Sequence, residues 1–231
     1  MNETVFAADM SFYKVFIIFV TGALLGDLVE TVFCYIKFRK VMCRSSFVYG
    51  HLSAVWGLAF AMATPMAVKL EDHNVLSVFL AGTILGSLFE YVCSAVLEHV
   101  VGARFWDYSK FKYNIAGRIN LKYSFYWGIA AVIWILGVYP VVDRVLARVP
   151  EAAGIQICKG LLIFLVLDAG LSLLALKRYN TRKEGQPAKN WLCRYLDKNF
   201  PDEYMENRYP HMKTCKPELE REFQHISTKC L

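Results

Sequence analysis

The sequence contains none of the short motifs that mark the common classes of enzyme. It has no G-x-x-x-x-G-K-[ST] phosphate-binding loop, so the chain cannot hydrolyse ATP by the P-loop route. It also has no H-E-x-x-H and no G-x-S-x-G, which are the signatures of zinc proteases and of hydrolases with a nucleophile elbow. The sequence therefore leaves open whether the protein is an enzyme, and it predicts no cofactor.

Cysteine pairs of the C-x-x-C type are also absent. The seven cysteines are Cys34, Cys43, Cys93, Cys158, Cys193, Cys215 and Cys230. Most of them fall on the side of the membrane predicted below to be cytoplasmic, where thiols stay reduced, so we expect no structural disulfide. His211 and His225 lie near the last cysteines, but at irregular spacing, and the sequence therefore predicts no metal site.

Apolar residues are abundant but unevenly distributed. They make up 56% of the 231 residues, whereas a soluble domain usually has about 45–50%. Long apolar runs occur within residues 12–176 and not in residues 177–231, where twelve Lys or Arg face eight Asp or Glu. We therefore expect a transmembrane domain at 1–178 and a basic tail at 179–231. Such a tail meets anionic membrane lipid, and it carries no recognisable motif for nucleic acid.

Five apolar segments are each long enough to cross a membrane, which takes about 20 residues. The predicted spans are Phe12–Ile36, Val48–Val68, Val75–Leu97, Leu121–Val142 and Ile155–Leu176. The first is not a cleaved signal peptide, because it lacks a basic segment before the apolar run. The predicted fold class is all-α, a polytopic bundle of about five transmembrane helices. In the tail, Trp191 to Phe200 can form a short interfacial helix, and we expect the tail to be peripheral to the bundle.

Basic residues in the connecting loops predict the orientation of the spans. The loops after the first and third spans carry nine Lys or Arg between them, whereas those after the second and fourth carry three. The odd-numbered spans are therefore expected to end in the cytoplasm. This places the N-terminus outside the cell and the basic tail inside, in a multi-pass protein of the plasma membrane.

The first and third spans share a sequence pattern. Residues 22–34 and 82–94 align without a gap and are identical at six of thirteen positions. The second and fourth spans share a weaker pattern around Trp56-Gly57 and Trp127-Gly128. These similarities predict a two-helix unit that is used twice in the same orientation, followed by a fifth helix. Transporters often carry internal repeats of this kind.

Glycines at four-residue spacing precede a carboxylate in both of these spans. The two stripes are Gly22, Gly26 and Glu30, and Gly82, Gly86 and Glu90. Residues four apart lie on one helix face, and small residues allow two helix backbones to approach closely. We therefore expect Gly26 and Gly86 at the closest contact between the first and third spans, with Glu30 and Glu90 facing each other.

Asp168 of the fifth span lies at a similar depth, so the sequence predicts a layer of three acids in the cytoplasmic half of the bundle. A charge near the bilayer centre costs on the order of 3 kcal/mol. The layer is either a site for a substrate or an ion, or a set of hydrogen bonds that holds the helices together. Trp56 and Trp127 lie deep for an aromatic belt and are either part of this site or part of the packed core.

The loop between the third and fourth spans is rich in aromatic and polar residues. It contains W-D-Y-S at 106–109 and N-x-x-G-R-I at 114–119. One interpretation places these side chains among the lipid headgroups. The other folds the loop back over the acidic layer, with Asp107 paired to Arg118 and Asn114 as a further site residue.

These loop elements resemble a bacterial membrane family called putative ABC-transporter type IV, over about residues 12–146. Glu30, Glu90-Tyr91 and Trp127-Gly128 fit the same family. The chain departs from the family pattern at Gly50-His51, where the family carries two prolines around the start of the second span. The resemblance implies a transport component, a permease, whose ATPase is a separate polypeptide.

Two other functions stay open at this stage. The first is a membrane-embedded enzyme that acts on a lipid or lipid-linked substrate, with Glu30, Glu90 and Asp107 as acid or base. The second is a non-catalytic scaffold whose basic tail docks other proteins. The oligomeric state is not readable from the sequence.

The predicted orientation can be checked by cysteine labelling in intact cells. On a background without native cysteines, a membrane-impermeant maleimide should label a cysteine at Asn74 and should leave one at Lys110 unlabelled, because the basic loop is retained inside. Permeabilised cells serve as the control and should expose both positions. If only the cysteine at position 110 were labelled in intact cells, the orientation would be the opposite of the predicted one.

Overall fold

The computed structural model describes residues 11–39, 41, 45–70, 74–210 and 212–214. Its helices are α1 (Phe12–Phe38), α2 (Ala54–Leu70), α3 (Val75–Val101), α4 (Leu121–Ile133), α5 (Tyr139–Leu146), α6 (Glu151–Lys183), α7 (Trp191–Asn199) and α8 (Asp202–Arg208). Its strands are β1 (Ala103–Arg104), β2 (Asn114–Ile115), β3 (Ile119–Asn120) and β4 (Lys213–Thr214). A π-helical turn at Trp134–Val138 joins α4 to α5 just before Pro140.

Four helical stretches are long and apolar enough to cross a membrane by length and composition. They are Phe12–Lys37, Val75–Val101, Leu121–Leu146 and Glu151–Lys183. The predicted all-α membrane bundle is therefore confirmed in the part of the chain that the structure describes. The second predicted span differs, because α2 begins at Ala54 and not at Val48.

Side-chain caps mark where α1, α3 and α4 begin. Ser11 Oγ accepts a hydrogen bond from the backbone N–H of Lys14, at 3.2 Å, and starts α1. Asn74 does the same for α3 through the N–H of Ser77, at 2.8 Å, and Asn120 caps α4. These polar caps satisfy N–H groups that have no partner inside the helix.

The helices associate mainly as two antiparallel pairs, α1 with α2 and α3 with α4, and α6 packs against α1 and α3. A Cβ atom added at Gly26 would lie 2.2 Å from Cβ of Trp56, and one added at Gly86 would lie 2.6 Å from Cβ of Trp127. Gly22 and Gly82 meet Phe60 and Ala131 in the same way, one turn further along. The predicted contact of Gly26 with Gly86 across α1 and α3 is therefore wrong: each stripe packs on the next helix of its own pair.

Residues 45–53, here called the connector, lie before α2 and are not helical, and most of them are buried. The backbone N–H groups of Tyr49 and Gly50 donate to the Asp168 carboxylate, at 3.2 and 2.7 Å, and that of Val48 donates to Ser172 Oγ, at 2.9 Å. Side chains of α6 thus replace the helical hydrogen bonds of these residues. A buried backbone needs such partners, and this is why the apolar run from Val48 does not become helix.

The described part of the tail packs against the bundle, so the prediction of a peripheral tail is wrong for α7 and α8. The buried guanidinium of Arg208 donates to the carbonyls of Phe47, at 2.6 Å, and Gly50, at 2.7 Å. Leu196, Phe200, Met205 and Tyr209 share a hydrophobic core with α6 and the connector. Burial raises the pKa of the Tyr209 hydroxyl far above its ordinary value.

The predicted interfacial helix is present as α7, but its apolar face is divided. Leu196 and Phe200 are buried against the bundle, whereas Trp191 is 71% exposed. Arg178 donates to both oxygens of Asp197, at 2.8 Å each, and these bonds hold the pKa of that carboxyl below its usual range. The helix α6 continues to Lys183, past the predicted domain boundary at residue 178. Its last turns bind the tail through Arg178.

Substitution of the stripe glycines should destabilise the protein. Gly26→Ala and Gly86→Ala each force a methyl group into an indole ring, and overpacking of this kind costs about 1–3 kcal/mol. Thermal unfolding in nanodiscs, followed by circular dichroism, measures the effect. Gly160→Ala and Gly170→Ala in α6 are matched controls, since nothing lies within 4 Å of a Cβ at either position. Equal loss of stability in all four variants would contradict the pairing described above.

Removal of the Arg208 side chain should also lower stability, because two buried carbonyls lose a charged donor. Hydrogen bonds to charged groups contribute about 1.5–3 kcal/mol each, so we expect Arg208→Ala to lower the Tm by roughly 5–10 °C. Arg194→Ala, at an exposed position of α7, should change the Tm little. An Arg208→Ala variant with the Tm of the parent would show that the tail docks without contributing stability.

Candidate functional site

Two hydrogen bonds between an indole and a carboxylate form the centre of the candidate site. Trp56 Nε1 donates to Glu30 Oε1 at 2.6 Å, and Trp127 Nε1 donates to Glu90 Oε2 at 2.9 Å. In each pair the tryptophan covers the glycine that lies one turn before the carboxylate on the facing helix. The absence of a side chain at that glycine brings the indole within reach of the acid.

The two tryptophans also bring the helix pairs together. The rings of Trp56 and Trp127 lie 5.1 Å apart between centroids, with their planes inclined by 38°. Glu30 and Glu90 are close enough to interact electrostatically. The site therefore consists of two carboxylates, each bonded to one ring of an aromatic pair. Carboxylates and aromatic faces in a dry setting favour a cation, or a proton that neutralises one acid.

The loop between α3 and α4 folds back over Glu90. Tyr108 donates its hydroxyl to Glu90 Oε1 at 2.9 Å, and Glu90 is 6% exposed. The hairpin of β2 and β3 and a bond from the N–H of Tyr108 to the carbonyl of Gly117, at 2.8 Å, hold this conformation. Of the two arrangements considered for the loop, the structure has the one in which it folds back, and the acid that it covers is Glu90.

The other loop residues singled out by the sequence support this cover. Asn114 Oδ1 accepts from the N–H of Gly117 at 2.9 Å, and Asp107 accepts from the hydroxyl of Ser109 at 2.5 Å. The sequence predicted a pair between Asp107 and Arg118, but the ion pair that the structure shows for Arg118 is with Glu98, at 2.7 Å. These residues shape the loop, whereas Tyr108 is the one that reaches the acid.

The backbone hydrogen-bond partners of Asp168 belong to the connector and not to the site of the two glutamates. It is 3% exposed, and both of its oxygens accept from the backbone of the connector. These two N–H donors tie the Asp168 carboxylate to the connector and not to the glutamates. The predicted layer of three acids is thus reduced to Glu30 and Glu90, with Asp168 holding the connector.

The sequence predicted no role at the site for two residues that lie near it. Asp27 is 8% exposed on α1 and interacts electrostatically with Glu30, His51 and Arg208. His51 Nδ1 lies 3.9 Å from Asp27 Oδ2. The alignment of residues 22–34 with residues 82–94 could have identified Asp27. It aligns with Ser87 and is the one acid in the first segment that has no counterpart in the second.

At the other end of the bundle lies an ion pair whose lysine is buried and whose carboxylate is partly exposed. Lys14 Nζ lies 2.5 Å from Asp143 Oδ1, and the lysine side chain is 7% exposed. Within the described ranges no group of three His, Cys, Asp or Glu side chains is placed to hold a metal ion. Of the residues weighed for zinc, His211, Cys215, His225 and Cys230 lie outside the described ones.

Comparison with known proteins agrees with the family that the loop motifs resemble. Residues 17–173 match a family model described as "Putative ABC-transporter type IV". This range includes α6 as far as Leu173 and so extends beyond the region that the sequence motifs identified. No curated protein and no solved structure matches the chain. Since the model spans more than half of the sequence, the chain belongs to the putative ABC-transporter type IV family.

Proposed function

We propose that the protein is the membrane-embedded component of a transport system and that Glu30 and Glu90 bind a cationic solute. The observation that carries the proposal is the repeated unit of glycine, tryptophan and glutamate, which bonds one carboxylate to each ring of an aromatic pair. Buried acids in a membrane are costly and mark ion pathways or proton relays. The family to which the chain belongs supports a role in transport.

The two helix pairs are proposed to be an internal repeat. Residues 60 positions apart in α1 and α3 make the same contacts: Phe19 meets Gly57 and Phe79 meets Gly128, just as Gly26 and Gly86 meet the two tryptophans. Repeats that meet at a shared site allow alternating access by movement of one against the other. Here the meeting surface is the contact between Trp56 and Trp127.

The energy source is proposed to be a separate ATPase subunit, because this chain has no phosphate-binding loop. The basic loops that follow α1 and α3 support a cytoplasmic position for the end of the bundle at which the tail docks. The glutamates then lie in the half of the plasma membrane nearer the cytoplasm, with Tyr108 and its loop between Glu90 and that compartment. Membrane lipid surrounds the long apolar helices.

Cation binding tests the proposal without knowledge of the transported solute. The protein in nanodiscs is titrated at constant ionic strength with sodium, potassium, magnesium, methylammonium, choline and spermidine, and its Tm is recorded. We expect at least one of these cations to raise the Tm. Glu30→Gln and Glu90→Gln remove the charge but keep the shape, and each should weaken that cation's affinity at least tenfold, about 1.4 kcal/mol.

Glu203→Gln is the control, since Glu203 is an exposed acid of the tail and its replacement should leave the titration unchanged. A panel in which no cation raises the Tm, or in which all three variants respond like the parent, would exclude the cation site. Conversion of a membrane lipid by the parent, lost in Glu30→Gln and Glu90→Gln, would instead support the enzyme alternative.

A further inference from the structure

Asp27 has a carboxylate oxygen that no hydrogen bond satisfies in the described part of the chain. Its Oδ1 atom is buried and without a partner, and the residue as a whole is 8% exposed. Leaving a charged oxygen in this state is expensive, because burial removes its water. Protonation of the carboxyl group removes the charge, so Asp27 is suited to bind a proton.

His51 is an exposed side chain beside Asp27. Its Nδ1 atom lies 3.9 Å from Asp27 Oδ2, and its side chain is 73% exposed while that of Asp27 is 11% exposed. Imidazole is the side chain best suited to exchange protons near neutral pH. The gap exceeds a hydrogen bond by about 1 Å, and an exposed imidazole can close it by rotation about its side-chain torsions.

Asp27 also adjoins the proposed cation site. It precedes Glu30 by three residues on α1, so the two side chains are neighbours on one helix face, and the two carboxyl groups interact electrostatically. Glu30 in turn interacts with Glu90. The acids therefore form a row that begins at an exposed histidine and ends at the buried glutamate beneath Tyr108.

The charged groups that face Asp27 come from three parts of the chain. Glu30 lies on the same helix, His51 on the connector and Arg208 on α8. The guanidinium of Arg208 also binds the carbonyls of Phe47 and Gly50, and thereby fixes the connector that carries His51. When Asp27 loses its proton, Arg208 supplies a nearby positive charge, so both protonation states are accommodated.

We propose that Asp27 is a proton-binding site, loaded from and emptied to water through His51, and that its proton is exchanged when a cation binds at Glu30 and Glu90. In the emptying step the Asp27 carboxyl O–H bond breaks and a bond from the proton to Nδ1 of His51 forms. The resulting imidazolium then releases its Nε2 proton to water. The inference rests on the proposed function for its cation but not for its proton site.

Labelling with dicyclohexylcarbodiimide tests the proton site in the unmodified protein. This apolar carbodiimide reacts with protonated carboxyl groups, which add their O–H across a C=N bond and rearrange to a stable acylurea. We expect mass spectrometry of nanodisc samples to find the adduct on Asp27, in a yield that falls as the pH is raised. Labelling of Glu30 or Glu90 with none on Asp27 at any pH would overturn the proposal.

The role of His51 is measured by the rate at which Asp27 loses its reactivity toward the carbodiimide after a rapid rise in pH. This loss of reactivity is called protection below. In His51→Gln this protection should develop at least tenfold more slowly than in the parent. His99→Gln is the matched control, because His99 is also exposed but lies on α3. In this variant the protection of Asp27 should develop at the parental rate. Equal rates in all three proteins would overturn the route through His51.

The link between proton and cation has its own readout. Addition of a cation that the titration identified should release protons into a weakly buffered nanodisc suspension, and Asp27→Asn should reduce the release at least fivefold while still binding the cation. Release that persists in Asp27→Asn would overturn the exchange. A labelled Asp27 in a protein that binds no cation would retain the proton site and reject the proposed function alone.

Discussion

The hydrogen bond from an indole to a carboxylate is the interaction on which the arrangement of the bundle depends. A glutamate inside an apolar bundle needs a donor, because hydrocarbon supplies none. Trp56 and Trp127 supply it, and they reach the acids because glycine leaves no side chain between the helices. Glycine, tryptophan and glutamate thus act as one unit, and each unit fixes how the two helices of a pair lie against each other.

The two units are alike in their contacts but differ in their surroundings. Glu90 is covered by Tyr108 from the loop between α3 and α4. Glu30 instead has Asp27 beside it on α1, where the second stripe has Ser87. An approximate symmetry therefore places two acids at one level, and the departures from symmetry give them different environments. Different environments are what allow two similar carboxyl groups to hold protons differently.

The tail connects the two helix pairs at the end where it docks. Arg208 binds the connector that leads into α2, and β4 pairs with β1 at the start of the loop between α3 and α4. Phe105 and Tyr209 are in edge contact near this strand pair, with 6.0 Å between ring centroids. Any movement of one pair against the other must therefore change contacts made by the tail.

Local patterns in the sequence were sufficient for much of the architecture. Apolar length predicted α1, α3 and α6, since an apolar run of this length has one stable arrangement in a bilayer. Spacing placed Gly26 with Glu30 and Gly86 with Glu90 on shared faces, because helix geometry alone sets that relation. The loop motifs identified the family over the region that the family model largely matches.

The choice of partners was decided only by the tertiary structure. The small residues of the α1 stripe could pack against a second glycine stripe or against a tryptophan side chain, and the sequence does not distinguish the two. In the structure the stripe packs against Trp56. Hydropathy extended the second span back to Val48, but Asp168 and Ser172 bind the backbone there and keep it from becoming helix. The charge of the tail predicted a segment peripheral to the bundle, whereas Arg208 binds two buried carbonyls of the connector. Sequence thus determined which faces and spans exist, because these follow from local geometry and hydropathy. Which group meets which depends on contacts between residues far apart in the chain, and no local pattern encodes them.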